Sequence, residues 1–153
     1  MNIAIVGGRD FSDYTLLKER LSRYISIYGV PENIVLGGAK GADTLAAQFA
    51  TEMDIPLLVF KPDYQKYGRG ATLVRNTQII ENADVVFAFW DGQSKGTKDS
   101  ITKAKKLQKE LHIISYGDVC FINLYPNGIL ELQKKLHSPK NSKNIGEAEN
   151  LSE

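Results

Sequence analysis

The stretch Ile3-Ala4-Ile5-Val6-Gly7-Gly8-Arg9-Asp10 decides the fold, because an apolar run passes straight into a glycine turn and then into a helical pattern. A continuous apolar run is typical of a strand that is buried on both faces. From residue 11 to residue 28 the apolar side chains recur at helical spacing, with Ser12 or Asp13 as the predicted cap. The stretch therefore predicts a strand, a glycine turn and a helix in direct succession.

The same unit recurs along the chain. Further strands are predicted at 33–36, 56–60, 84–90 and 112–115, and further helices at 43–53, 71–81 and 97–111. Strands that alternate with helices predict a Rossmann-like three-layer α/β sandwich with a mainly parallel central sheet. The less regular end of the chain predicts an edge strand at 119–124 and a short amphipathic helix at 129–136.

Length and composition indicate one domain. With 153 residues, 42% of them hydrophobic, the chain is long enough to bury a core of its own. We assign residues 1–137 to this domain. From residue 138 to residue 153 polar and charged side chains dominate, which predicts a disordered tail.

Charge and cysteine content narrow the class of protein. The net charge is +1, and the basic residues are spread along the chain, which argues against a dedicated nucleic-acid binder. Cys120 is the only cysteine, and His112 and His137 are the only histidines, so we expect neither an internal disulfide nor a transition-metal site. The chain opens on a predicted strand and has no apolar run of membrane-spanning length. We therefore expect a cytoplasmic protein without a membrane partner.

Three turns follow predicted strands and open predicted helices: the first turn (Val6–Asp10), the second turn (Gly37–Asp43) and the third turn (Asp91–Thr97). Backbone N–H groups at such turns, together with the positive end of the following helix, bind phosphate. Because the carboxyl ends of parallel strands meet at one edge of a sheet, we expect one site for a nucleotide or a nucleotide-derived small molecule. The candidate ligand-binding residues of the turns are Gly7, Gly8, Arg9, Gly37, Gly38, Ala39, Lys40, Gly41, Asp43, Asp91, Gly92, Ser94, Gly96 and Thr97.

Each turn also has a purely structural interpretation. Arg9 offers a planar guanidinium to a phosphate, or it forms a surface ion pair with Asp10 or Asp13. Asp43 accepts hydrogen bonds from a ribose, or it caps the helix that begins there. The second turn is not a Walker P-loop, because Lys40 precedes the last glycine and no hydroxyl follows it, and its glycine spacing differs from the dinucleotide fingerprint.

Three further candidates lie outside the turns. Arg69 and Arg75 flank the predicted start of the helix at 71–81, and we expect Arg69 in the loop and Arg75 on the first helical turns. Arg75 is a candidate for binding phosphate, with a solvated surface arginine as the alternative, and Asn76 for reading a base or a ribose. Trp90 ends a predicted strand, where it stacks on a base or belongs to the core or the cavity wall.

Taken together, these motifs resemble the YspA/YpsA-related branch of the SLOG superfamily. The resemblance rests on the three turns, on Arg75-Asn76 and on Ala83-Asp84, which occur in the same order over residues 1 to 116. The superfamily also contains the lonely-guy enzymes and the DprA-like DNA-processing proteins. The resemblance implies a Rossmann-like sheet with a nucleotide-derived ligand over the glycine turns, and a homodimer, because similar SLOG proteins are often dimers.

The resemblance leaves the reaction open. Lonely-guy enzymes cleave nucleoside monophosphates with an arginine and a glutamate in a pattern resembling Pro-Gly-Gly-x-Gly-Thr-x-x-Glu. Here Gly96-Thr97 is followed by Lys98, Asp99 and then Ser100 where that glutamate would stand, and Asp99 would point in a different direction on a helix. The glutamate of the neighbouring nucleoside deoxyribosyltransferases is not evident either.

Two functions therefore compete. The first is a module that binds a nucleotide derivative, to sense it or to sequester it. The second is an enzyme that hydrolyses or transfers at an N-glycosidic bond, with Asp43 or Asp91 as the catalytic carboxylate. DNA binding of the DprA kind ranks third because the net charge is near neutral. None of these functions requires a cofactor, but Mg²⁺ can accompany the ligand's phosphates, and Asp43 and Asp91 are placed to reach its waters.

Overall fold

The computed structural model describes residues 1–117 and the backbone of residues 128–132. Strands and helices alternate along it, as the sequence predicts. The strands are β1 (Asn2–Gly7), β2 (Asn33–Leu36), β3 (Leu57–Val59), β4 (Val85–Trp90), β5 (Glu110–Ser115) and β6 (Gly128–Leu132). The helices are α1 (Tyr14–Tyr28), α2 (Ala42–Glu52), α3 (Tyr64–Tyr67), α4 (Ala71–Glu81) and α5 (Lys95–Lys106), with a 3₁₀ turn at Gly68–Gly70 between α3 and α4.

The six strands form one sheet in the order β3-β2-β1-β4-β5-β6, and every pair is parallel. This arrangement confirms the Rossmann-like α/β fold. The chain builds outward in one direction from β1 and then in the other from β4, so the order reverses between these two strands. In open sheets of this kind, ligands bind outside the carboxyl ends of the strands at that reversal. There, Gly7 of β1 pairs with Phe89 of β4.

The core lies in two layers, one on each face of the sheet. Because alternate residues of a strand face opposite sides, Phe87 of β4 packs with Leu17 and Phe49 of α1 and α2, whereas Val86 packs with Ile80 and Ile101 of α4 and α5. All six residues of β4 are buried. Burial of each large apolar side chain contributes about 1.5–3 kcal/mol, so the strands that carry the reversal are held rigidly.

Two predicted helices are wrong in part. The helix predicted at 97–111 ends at Lys106, and the chain turns through Gln108, whose φ is +56°, into β5. Residue 111 is a buried strand residue opposite Val86, because pairing with β4 outweighs the helical pattern of the lysine-rich segment. Likewise, residues 129–132 belong to β6 and not to a helix, since β5 offers its open edge as a backbone partner.

Smaller differences fall in the loops. Residues 64–67, between the strand predicted at 56–60 and the helix predicted at 71–81, form α3, because Asp63 accepts a hydrogen bond from the Lys66 N–H and caps it. The predicted cap of α1 is confirmed as Asp13, which accepts from the Leu16 N–H at 3.0 Å. The predictions for the strand at 119–124, for the domain boundary at 137 and for the tail at 138–153 lie outside the described residues.

Candidate functional site

A cavity of about 590 Å³ opens at the carboxyl edge of the sheet between β1 and β4. Residues of all three turns line it, so the turns converge as predicted. The sequence candidates on its wall are Gly7, Gly8, Arg9, Ala39, Asp43, Arg75, Asn76, Asp91, Ser94, Gly96 and Thr97. The wall also contains residues that sequence reasoning did not select, namely Val6, Asp10, Thr72, Leu73, Ile79, Lys95 and Ser100. The candidates Gly37, Gly38, Lys40, Gly41, Arg69, Trp90 and Gly92 lie elsewhere.

The third turn presents the N-terminal end of α5 to the cavity. Asp91 Oδ1 accepts hydrogen bonds from the N–H groups of Gln93 and Ser94, both at 2.8 Å, which fixes the turn. Ser94 caps α5, with its Oγ 3.2 Å from Thr97 Oγ1. A Cβ built on Gly96 would meet no atom within 4 Å. The turn is therefore open on the cavity side, where the positive end of the helix attracts an anion.

Trp90 supports this turn from behind. Its indole N–H donates to the Ser94 carbonyl at 3.1 Å, and its ring is 9% exposed among the side chains that pack under α4 and α5. The structure thus places Trp90 in the core, the second of the two positions considered for it. It positions the third turn and does not line the cavity.

Arg75 forms the wall opposite the third turn. It lies on α4, and its Nη1 donates to the Gly37 carbonyl at 2.9 Å while its Nε donates to Asn76 Oδ1 at 3.0 Å. A guanidinium has five N–H donors. These two contacts fix its plane, and its other N–H donors have no hydrogen-bond partner among residues 1–117, where Arg75 lines the cavity. Arg69 lies in the exposed 3₁₀ turn, so the two arginines have the separate positions that we predicted.

Asn76 connects Arg75 to a polar network that sequence reasoning missed. Its Nδ2 donates to Asp99 Oδ2 at 3.1 Å, and Lys103 Nζ donates to the same oxygen at 2.8 Å and to the Leu73 carbonyl at 2.7 Å. The network joins α4 to α5 and fixes the orientation of the Asn76 amide. The spacing of Asp99 and Lys103 is visible in the sequence as a helical pair, but its partner on α4 is not.

Asp43 fixes the second turn through hydrogen bonds to the backbone of the same turn. Its Oδ2 accepts from the N–H groups of Gly37 at 3.2 Å and Ala39 at 3.0 Å. It does not cap α2, because Gly41 holds that position without a side-chain hydrogen bond. Burial raises the pKa of Asp43, although the Ala39 N–H, the Arg75 charge and the Gly37 N–H act in the opposite direction. Two amides that we expected to bind phosphate are therefore used within the turn.

The glycines of the first two turns serve mainly to let segments approach closely. A Cβ on Gly7 would lie 2.7 Å from the Ala42 Cβ. A Cβ on Gly37 would collide with the Arg75 guanidinium, and one on Gly41 would collide with the Gly8 carbonyl. Gly7 and Gly41 therefore allow backbone segments to pack closely at the start of α2, and Gly37 leaves room for the Arg75 guanidinium. The exposed Lys40 and the neighbouring Gly38 lie on the outer side of the second turn.

The first turn is fixed by a tyrosine beyond β5. The Tyr116 hydroxyl donates to Asp10 Oδ1 at 2.7 Å, and burial, followed by the charges of Asp10 and Asp91, raises the pKa of this phenol. Since Asp10 binds Tyr116 and Asp13 caps α1, Arg9 pairs with neither of them within the described part of the chain. Arg9 is exposed at the mouth of the cavity.

Comparison with known proteins identifies the family. Residues 1–67 match the family described as "YspA, cpYpsA-related SLOG family". The Gene 61 protein of Mycobacterium phage D29 is 31% identical over 124 residues, which cover 76% of this chain and 96% of that protein. The chain belongs to the YspA/cpYpsA-related SLOG family. The resemblance inferred from the turns is thereby confirmed.

Solved structures similar to this SLOG chain show the same fold. DNA processing protein A from Helicobacter pylori, described for its mode of binding single-stranded DNA, superposes with a TM-score of 0.59 at 24% identity over 77% of this chain. Its counterpart DprA from Streptococcus pneumoniae superposes with a TM-score of 0.61 at 16% identity, again over 77% of this chain. The SLOG chain spans 66% of the first structure and 51% of the second.

The part of the SLOG chain that the structure describes contains neither a cluster of metal-ligating side chains nor a membrane-spanning helix. No group of three or more His, Cys, Asp or Glu side chains there is arranged to hold a metal ion. His112 is 6% exposed, stacks on Phe87 at 4.6 Å and lies 2.8 Å from Glu110 Oε2, which are core contacts. None of the helices in these residues has the length and apolar character needed to cross a membrane.

Proposed function

We propose that this SLOG chain binds a nucleotide or a nucleotide-derived small molecule in the cavity between β1 and β4, as a sensor or a sequestering module. The observation that carries the proposal is the pairing of Arg75, clamped by Gly37 and Asn76, with the open end of α5 on the same cavity. An oriented guanidinium and a helix N-terminus are two of the strongest phosphate-binding groups in proteins.

The distribution of charge supports an anionic ligand. Arg9, Arg75 and Lys95 line the cavity, and so do three carboxylates. Each carboxylate, however, directs an oxygen to a donor of its own chain: Asp10 to Tyr116, Asp43 to two backbone amides and Asp91 to two more. These neutral donors leave the carboxylate charges in place, so the support for an anion comes from the N–H donors that Arg9, Arg75 and Lys95 keep for a ligand, and not from a net positive charge.

The size and the inner surface suit the rest of a nucleotide. Ligand cavities are typically about 300–1,000 Å³ in volume, and this one is about 590 Å³. Val6 and Ile79 give its inner wall an apolar surface against which a base can pack.

Isothermal titration against AMP, ADP-ribose and cyclic dinucleotides, each with and without Mg²⁺, tests the proposal. We expect binding by the wild type, and an affinity reduced by about 30-fold in Arg75→Ala, because a hydrogen-bonded charge contributes about 2 kcal/mol. Arg23→Ala is the matched control, since Arg23 pairs with Glu19 on the surface of α1. Absence of binding at high micromolar concentration to the whole panel contradicts the proposal. A dependence on Mg²⁺ would support an ion bound through the ligand's phosphates.

A second candidate function is cleavage at an N-glycosidic bond, and the environment of Asp43 favours it. Asp43 lines the cavity, and burial raises its pKa, which keeps a proton available at a higher pH than for an exposed carboxyl. Chromatography of nucleoside monophosphates after long incubation would detect free base. Turnover that persists unchanged in both Asp43→Asn and Asp91→Asn would exclude these carboxylates as its catalysts.

Binding of single-stranded DNA is a third function, and the experiments must distinguish it from nucleotide binding and from N-glycosidic cleavage. It is described for the Helicobacter pylori structure that shares this fold. The net charge of +1 favours a small ligand here, because DNA binding draws on many cationic contacts. An electrophoretic shift at low salt, combined with no nucleotide binding, would replace the proposal with DNA binding.

The proposal includes a cytoplasmic homodimer. SLOG proteins similar to this chain are often dimers, and the one cysteine rules out an internal disulfide, which is consistent with a reducing compartment. Light scattering during gel filtration measures the oligomeric state, and fractionation measures the compartment. A monomer at working concentrations would remove the dimer from the proposal without affecting the ligand site.

A further inference from the structure

Ser100 lies at the inner end of the cavity with its hydroxyl unused. The residue is 2% exposed, and it lines the cavity one helical turn beyond Thr97. Thr102 of the same helix donates its hydroxyl to the Lys98 carbonyl at 2.9 Å. By contrast, the Ser100 hydroxyl has no hydrogen-bond partner among residues 1–117. The Ser100 oxygen is not sealed inside the protein but opens onto the cavity, so a polar ligand group can take the place of water as its partner.

The groups around Ser100 define what can bind there. We call Val6, Asn76, Ile79, Thr97 and Ser100 the floor of the cavity, because they are buried wall residues with uncharged side chains. Asp43 is buried on the same wall, but its Oδ2 accepts from the Gly37 and Ala39 amides, and its carboxyl group disfavours a second acid beside it. None of the five side chains carries a charge. The cationic side chains of Arg9 and Lys95, in contrast, are exposed at the mouth.

The other polar groups of the floor already have partners. The Asn76 amide is held between Arg75 and Asp99, and Thr97 Oγ1 lies 3.2 Å from Ser94 Oγ. Ser100 is therefore the polar group on the floor whose hydrogen-bonding capacity is wholly unused within residues 1–117, whereas Thr97 shares its hydroxyl with Ser94. A charged ligand group would find no counter-charge on the floor itself, whereas an uncharged one pays a much smaller desolvation cost.

We propose that Ser100 reads an uncharged hydrogen-bonding group of the nucleotide, either a sugar hydroxyl or a polar edge of the base, while the phosphate stays at the N-terminal end of α5. This inference rests on the proposed function. It assigns the two ends of the ligand to the two ends of the cavity, and it makes Ser100 a specificity-determining residue.

Titration of AMP and three analogues into the wild type and Ser100→Ala tests the inference. The analogues are 2′-deoxy-AMP, 3′-deoxy-AMP and purine riboside 5′-monophosphate, each of which lacks one uncharged polar group. We expect Ser100→Ala to bind AMP about tenfold more weakly, which corresponds to about 1.4 kcal/mol. We also expect one analogue to bind the wild type about tenfold more weakly than AMP does, and to lose this penalty in Ser100→Ala. That analogue identifies the group as a sugar hydroxyl or a base edge.

Thr102→Ala is the matched control, because it removes a hydroxyl from the same helix at an exposed position. Thermal unfolding of each variant confirms that it folds. Equal AMP affinities in the wild type and Ser100→Ala would overturn the inference and leave the proposed function intact. Analogue penalties that persist unchanged in Ser100→Ala would also overturn it. A wild type that binds neither AMP nor any other member of the nucleotide panel would instead contradict the proposed function.

Discussion

The second turn and the third turn each follow a buried strand and lead into a helix, and both are rich in small residues. In the second turn, Asp43 binds the amides of Gly37 and Ala39, and Gly41 lies against the first turn. In the third turn, Asp91 binds the amides of Gln93 and Ser94, and the space beside Gly96 is empty. Both acids fix their turns through two backbone amides, so the turns differ in the space beside their glycines: the first turn fills it at Gly41, and nothing fills it at Gly96.

The largest loss of folding stability is expected for a substitution at the place where the second turn packs on the first. Gly41 has a φ of +75°, and a Cβ there would lie 2.6 Å from the Arg9 carbonyl carbon. We expect Gly41→Ala to lower the free energy of unfolding by about 3–4 kcal/mol, from backbone strain and displacement of the first turn. Gly68→Ala is the control, because Gly68 has a φ of +57° and no atom near the new Cβ. Strain alone costs about 1–2 kcal/mol there. Equal losses in urea denaturation would refute a packing role for Gly41.

Asp43 makes the second turn sensitive to pH. Burial raises its folded pKa above the ordinary value of 3.8, so the fold binds this proton more tightly than the unfolded chain does. The resulting stabilisation is complete below pH 3.8 and is lost as the pH rises through the folded pKa. We expect the stability of the wild type relative to Asp43→Asn to fall over that window, by at most about 1.4 kcal/mol per pH unit.

Urea denaturation at a series of pH values between 3 and 7 measures this difference. Asp54→Asn, at an exposed position after α2, controls for the general effect of removing an acid. A difference between wild type and Asp43→Asn that rises with pH would contradict the direction of the shift.

The third turn should respond in the opposite sense to an added methyl group. At Gly96 nothing opposes a Cβ, and alanine is a better helix former, so Gly96→Ala should raise the free energy of unfolding by about 0.5–1 kcal/mol. The same methyl group enters the cavity beside the open end of α5. We therefore expect AMP affinity to fall by about fivefold, or roughly 1 kcal/mol. Unchanged affinity measured by titration would show that the ligand does not approach this turn.

The smallest changes in stability and in AMP affinity are expected for a substitution in the hydrogen-bond network that supports Arg75. Asp99 and Lys103 are about three-quarters buried as side chains, at 26% and 24% exposure. Asp99→Asn removes the ion pair but keeps an acceptor for Asn76, so we expect a loss of stability of about 0.5 kcal/mol. AMP affinity should fall about twofold, because the plane of Arg75 is less firmly held. Glu19→Gln, which removes the exposed partner of Arg23, is the control and should leave the affinity unchanged.

The sequence predicted the fold well because strands and helices are encoded by patterns of neighbouring residues. The apolar runs and helical spacings gave β2 (Asn33–Leu36) and α4 (Ala71–Glu81) with the observed limits, and the alternation gave the parallel sheet. The end of α5 was missed because pairing with a distant strand decides it. The convergence of the three turns followed from the rule that parallel strands end at one edge.

The interior of the site was less predictable, because it depends on contacts between elements that are far apart in the sequence. Asp43 was a candidate from the sequence. Whether its carboxylate accepts hydrogen bonds from a ligand or from two backbone amides depends on the path of the turn, which the sequence does not show. Asp99 and Tyr116 act through partners on other elements, and the place of Ser100 on the cavity wall depends on how α5 packs against the sheet. The spacing of residues along one chain carries no information about such contacts. In the sequence, Ser100 was identified only as the residue that replaces the glutamate of the lonely-guy enzymes.

The position of Trp90 gives this protein a built-in optical reporter. It is the single tryptophan of the chain, and its indole N–H is tied to the carbonyl of the residue that caps α5. Any anion that tightens or shifts that cap changes the electric field at the ring. Emission excited at the red edge of the absorption band should thus follow occupancy of the cleft in real time, without an attached dye.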